Sequence, residues 1–169
     1  MTDPATITDR STLTLVRRLP GPIDRVWRYL TDPAEMSKWF TNGTVADHVG
    51  GDVRLGIGTH GRVTAYQPPH LLEYTWNKDG SCDEDPSATP TVIDSIVRWE
   101  LAEEGDRVRL TLTHSRLPET ELVGHSAGWH TYLDRLRAFA ESRPLDSVAE
   151  TFARLKAEYE PIVRAAGIR

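Results

Sequence analysis

Apolar residues recur at every third or fourth position between Leu19 and Phe40, and then at every second position through much of the chain up to His114. The change of period separates helix from strand. In LPGPIDRVWRYLTDPAEMSKWF, Ile23, Val26, Trp27 and Leu30 share one helical face. Pro22 suits a first helical position, where a missing N–H costs nothing. A second helix follows at once, with Asp32 as its N-cap, Pro33 next and Glu35 three residues on, as in a capping box. Met36, Trp39 and Phe40 form its apolar face. Strands are predicted at Thr12–Leu19, Thr44–Asp47, Asp52–Ile57, Gly61–Gln67, Leu71–Asn77, Val92–Leu101 and Arg107–His114, separated by Gly, Pro and Asp turns. Short connections make consecutive strands antiparallel, because parallel neighbours need longer crossovers.

Alternation then assigns the two sheet faces. Leu72, Tyr74 and Trp76 share one side, as do Val97, Trp99 and Leu101, and Val108, Leu110 and Leu112. Charged and hydroxyl residues take the other side, where Glu73, Asp94, Arg98 and Glu100 suit cross-strand pairing. The cover for the apolar face is a long helix over about Thr120 to Ser142, whose stripe is Leu122, Ser126, Trp129, Leu133, Leu136 and Ala140. A further helix starts near Asp146, carries Val148, Phe152, Leu155, Tyr159 and Ile162, and is expected to kink or stop at Pro161. The expected architecture is α+β, a curved antiparallel sheet wrapped around a long helix over residues 1–143. Residues 144–169 form a helical extension that packs on this domain or, as a homodimer, on a second subunit. Lys78–Pro90, polar and acidic, reads as a long mobile hairpin tip.

The ordered set LPGPIDRVWRYLTDPAEMSKWF, GGDVRL, GRVTAYQPPHLLEYTW, VRWEL, RVRLTLTHSRLP and HSAGWHTYLDRL, spanning Leu13 to Leu136, resembles the START-like (helix-grip, SRPBCC) superfamily. Within it, the chain is most similar to homologues of the activator of the Hsp90 ATPase. That resemblance implies a cavity between sheet and long helix, suited to apolar ligands. It implies no single activity, since the fold hosts carriers, cyclases, hydratases and co-chaperone modules.

Composition narrows the function classes. The 169 residues carry a net charge of −5 and 38% hydrophobic residues, and five of the residues are Trp. An acidic balance disfavours nucleic acid or an anionic membrane surface as partner. No apolar run reaches the ~20 residues of a membrane span, the N-terminus lacks a signal-peptide core, and the lone Cys82 has no disulfide partner. A cytoplasmic protein is expected, with no cofactor. His125 and His130 lie five apart, off any shared helix face, so no zinc spacing exists. No G-x-S-x-G, phosphate-loop or H-E-x-x-H pattern appears.

The expected ligand-binding wall comprises Trp39, Phe40, Leu55, Val63, Tyr74, Trp76, Trp99, His114, His125, Trp129 and Leu133. His114 has the inward parity of Leu110 and Leu112, and His125 opens the long helix, so the two should converge at one end of the cavity. Ser95 and Thr91 share the inner parity and could orient a polar group of a ligand. Gly128, unfavourable inside a helix by about 1 kcal/mol, marks either a close backbone approach or room for a ligand. The leading expectation is a binding protein for a small hydrophobic or aromatic molecule. Its rivals are a cyclase- or hydratase-type enzyme with His114 or His125 as acid–base, and a chaperone-related interaction module.

Overall fold

The computed structural model describes residues 3–78 and 93–167. Among these residues eight antiparallel strands form one sheet in the order β1-β2-β8-β7-β6-β5-β4-β3. They are β1 (Thr6–Thr8), β2 (Thr12–Pro20), β3 (Gly43–Val45), β4 (Asp52–Leu55), β5 (Thr59–Gln67), β6 (Leu71–Lys78), β7 (Ile93–Glu104) and β8 (Arg107–Ser115). Helices α1 (Ile23–Thr31) and α2 (Pro33–Trp39) separate β2 from β3, while α3 (Leu122–Ala140) and α4 (Val148–Ala165) follow the last strand. This is the α+β architecture expected from the periodicity, a sheet with a long helix, and the helix-grip fold that the resemblance implies. No helix among the described residues is long and apolar enough to cross a membrane. Beyond Lys78, the predicted hairpin tip, with Cys82 and Thr91, lies outside the described residues.

The predicted inward residues are the buried ones: Leu72, Tyr74, Trp76, Val97, Trp99, Leu101, Val108, Leu110 and Leu112 are each 4% exposed or less. Register places Trp99 opposite both Leu72 and Leu112, so three strands contribute to one core layer. Between α1 and α2, Asp32 accepts a hydrogen bond from Ala34 N at 2.9 Å. Glu35 does not complete the box; its carboxylate takes the nearer Lys38 ammonium at 2.9 Å. Pro22 sits one place earlier than expected, as the cap of α1.

Three further features differ from the sequence reading. A short extra strand, β1, pairs with β2; three residues are too few for an alternation signal. α3 is buried on more than one stripe, since Ala127, His130, Thr131 and Ala138 are also covered, and α4 packs against it, with the Tyr159 hydroxyl 2.9 Å from His130 Nδ1. Pro161 does not stop α4, which runs on to Ala165. The amide bond that Pro161 forfeits would have gone to the Ala157 carbonyl. Both residues are exposed, so solvent can serve that carbonyl. Leu155, Tyr159 and Val163 are the buried side chains of α4, whereas Ile162 remains 41% exposed.

Candidate functional site

Trp129 organises the space between helix and sheet. Its indole lies 5.1 Å from the Trp76 ring, 5.4 Å from Trp99 and 5.6 Å from Phe40. Around it runs a chain of hydrogen bonds among buried groups. Trp129 Nε1–H donates to His114 Nδ1 at 2.9 Å. That leaves the proton of neutral imidazole on Nε2, which donates to Ser95 Oγ at 2.7 Å. Ser95 Oγ in turn donates to the Trp76 carbonyl at 3.2 Å. Each member supplies what its neighbour lacks, so the chain locks one tautomer of His114 and ties α3 to β6, β7 and β8.

Burial, and secondarily the His125 ring 5.1 Å away, push the His114 imidazole well below its ordinary pKa. Its Nδ1 lone pair is already taken by the Trp129 indole, so this imidazole is a structural element of the core and not a poised base. In the unfolded chain His114 takes a proton near pH 6.5, whereas in the fold it stays neutral to lower pH. The stability this contributes is complete above about pH 6.5. It is lost as pH falls below that value, at up to about 1.4 kcal/mol per pH unit. Urea unfolding from pH 7.5 to 5.5 should show that slope, and His114→Gln should flatten it. An identical slope in the variant would show that another group carries the effect.

The structure separates the expected wall into two sets. Trp39, Leu55, Val63, Tyr74, Trp99, His114 and Leu133 are packed into the core. Trp39 stacks on Phe40 at 5.3 Å and donates its indole N–H to the Tyr29 carbonyl at 2.9 Å. Trp99 donates to the Tyr74 hydroxyl at 3.1 Å, and burial holds that phenol above its ordinary pKa. Phe40, Trp76, His125 and Trp129, by contrast, border a pocket of about 250 Å³ where the first half of α3 crosses the sheet. Ile57, Thr59, Glu121, Gly124, Gly128, Tyr132 and Phe152 complete it. The pocket therefore lies beside Trp129 rather than among the central indoles, which pack on one another.

Two glycines of α3 leave this space open. A Cβ on Gly128 would meet only the Phe152 ring, at 3.9 Å, and one on Gly124 would meet nothing within 4 Å. No backbone approaches Gly128 closely, so of its two readings the structure supports room. His125 Nδ1 lies 3.1 Å from the Glu121 carbonyl, one turn back on the rim. Thr59 was hidden from sequence reasoning because GIGTHG reads as a turn, yet β5 already begins there. Phe152 was visible only as part of the α4 stripe. Among the described residues, no cluster of His, Cys, Asp or Glu could hold a metal ion.

One property of the pocket stands out chemically. Two residues of its lining, Thr59 and Trp76, carry buried side-chain atoms, Oγ1 and Nε1, that have no hydrogen-bond partner among the described residues. Buried polar groups are ordinarily paired, and each orphan costs about 1–3 kcal/mol.

Residues 20–141 match the family described as Activator of Hsp90 ATPase homolog 1-like protein. Among solved structures, CalU16 from Micromonospora echinospora is 26% identical, with a TM-score of 0.70 over 90% of this chain and 88% of that one. A Bordetella parapertussis protein solved by NMR is 25% identical, with a TM-score of 0.70 over 95% of this chain and 92% of that one. An Hsp90 activator from Plasmodium falciparum, 19% identical, reaches a TM-score of 0.62 over 79% of this chain and 98% of that one, a likeness of fold alone. No curated protein matches the chain.

Proposed function

The chain belongs to the Activator of Hsp90 ATPase homolog 1-like family, within the START-like superfamily, and we propose that it is a binding protein for a small, predominantly apolar molecule. The observation that carries this reading is the pocket beside Trp129: concave, bordered by five aromatic rings, and kept open by Gly124 and Gly128. Ligand sites commonly combine an apolar wall with a few polar residues, and Thr59, Glu121 and His125 are those that border this one.

Filling the pocket without disturbing the fold tests the reading. Gly124 faces open space, so a leucine there should occupy the cavity while improving local helix propensity. A panel of small aromatic molecules, titrated by calorimetry, should contain binders to the native protein. Gly124→Leu should weaken them at least tenfold with no fall in Tm. Binding unaltered by the substitution would refute this site, and a panel without a single binder would refute the function.

A further inference from the structure

We propose that Asn42 and Gly43, where the chain enters the outermost strand, form a site of covalent self-modification. The native protein loses ammonia there and converts Asn42 to isoaspartate and aspartate.

The reaction needs a solvated carboxamide, a following backbone nitrogen free to attack it, and a chain loose enough to bring the two together. Asn42 is exposed and lies between α2 and β3, in neither element. β3 is the last strand of the sheet and has β4 on one side only. Register pairs Gly43 with Leu55, and the bond flanking this pair runs from Gly56 N to the Asn42 carbonyl at 2.7 Å. Gly43 and Leu55 are therefore a non-hydrogen-bonded pair, and the Gly43 N–H points away from β4 toward the free edge. The ladder does not hold this nitrogen. The bond on the Asn42 carbonyl ends the β3–β4 pairing, at the position where local opening costs least.

Glycine at 43 is a necessity of the packing. A Cβ there would lie 2.4 Å from the Arg54 carbonyl oxygen and 3.0 Å from Leu55 Cα, so the approach of β3 to β4 excludes a larger residue. A residue without a side chain leaves its own nitrogen unshielded. The contact that fixes Gly43 thus also presents a nucleophile to the carboxamide before it.

Solvent base removes the Gly43 N–H proton, and the nitrogen attacks Asn42 Cγ. The carboxamide C–N bond breaks and ammonia leaves with a proton returned by solvent, which closes a five-membered succinimide. One water then opens the ring. Cleavage between Gly43 N and Cγ gives aspartate, and cleavage between Gly43 N and the Asn42 carbonyl carbon gives isoaspartate, with the chain routed through Cγ. Either product adds one negative charge to a chain of net charge −5. Isoaspartate also lengthens the backbone by one carbon directly before a strand of three residues, so β3 should lose its register on β4.

Peptide mapping by mass tests the site cleanly, because the sequence holds two asparagines, Asn42 and Asn77, and one glutamine, Gln67. Asn77 is the internal comparison: it lies within β6, paired with His60 on one side and Asp94 on the other, and Lys78 follows it. Native protein held at 37 °C and pH 8.5 should gain the mass difference between NH2 and OH at Asn42, with isoaspartate detected by enzymatic methylation of the same peptide. The gain should be slower at pH 6, where less of the amide nitrogen is deprotonated, and absent from Asn42→Gln. Asn77 should convert at least about tenfold more slowly in the native chain, since β6 must open first, whereas Asn42 should convert within about tenfold of its rate in urea-unfolded protein. Conversion of Asn42 in urea but not in the native chain would overturn the proposal, because the edge nitrogen would then be protected. A native mass gain that maps first to Asn77 or Gln67 would overturn it as well.

Discussion

Trp129→Ala should destabilise the protein by about 3–5 kcal/mol and lower Tm by roughly 10 °C, the shift expected for a domain of this size. The residue is 3% exposed, and its indole touches Trp76, Trp99 and Phe40 at once. Truncation would remove a large apolar surface from a region whose neighbours come from three different elements and cannot all move inward. It would also withdraw the donor from His114 Nδ1, leaving a buried acceptor unpaired. Trp129→Phe separates the two losses. It keeps a ring between helix and sheet but not the N–H, so it should cost about 1–3 kcal/mol. Urea unfolding of both variants checks the order. If the phenylalanine variant were as stable as the native protein, the hydrogen-bonded chain through His114 and Ser95 would contribute nothing.

That chain shows what the sequence could and could not display. The inward parity of Ser95, Trp99, Leu112 and His114 follows from strand alternation, and the structure buries all four. The position of Trp129 follows from helical spacing. Pairwise chemistry across the gap does not follow, because it depends on how far α3 sits from the sheet. The place of the pocket does not follow for the same reason: alternation says which side chains point inward, not whether they meet. Trp39, Trp76, Trp99 and Trp129 are expected on one wall, whereas Trp76 and Trp99 both pack against Trp129 and the pocket is bordered by Trp76 and Trp129 without Trp39 or Trp99. Arg17 makes the complementary point. It occupies an inward place between Leu15 and Leu19 on β2, so parity alone marks it as buried, and the structure shows it 4% exposed. Its guanidinium meets Asp134 of α3 at 3.1 Å, a partner far along the chain that alternation could not identify. The family motifs could carry the fold, since they span nearly all its elements. They could not carry the whole pocket, since Ile57, Thr59 and Phe152 of its border come from a turn, the start of β5 and the C-terminal helix, outside the strongest matches.

Gly61→Ala should have the larger effect on the sheet, more than about 4 kcal/mol, the range reserved for changes the fold cannot absorb. A Cβ built on Gly61 would lie 1.8 Å from the Thr75 carbonyl oxygen and 2.8 Å from its carbon. These are backbone atoms of β6, so relief requires the strands to separate. The site is already irregular: pairing of β5 with β6 runs from His60–Asn77 to Val63–Tyr74 and then shifts register between Val63 and Ala65. Thr75 Oγ1 also accepts from Arg62 N at 2.9 Å, a bond the displacement would break. A one-residue slip as an escape would turn the inward set of β5 outward, exposing Val63 and moving Thr59 off the pocket wall. Expression as insoluble protein, or a urea midpoint far below that of the native chain, is the expected result. Gly124→Ala is the matched control, because its added methyl meets nothing within 4 Å and should leave the midpoint unchanged or raise it by up to about 1 kcal/mol. Were Gly61→Ala to unfold at the native midpoint, β5 and β6 could not be packed as closely as the structure places them, and the pocket behind them would have to be redrawn.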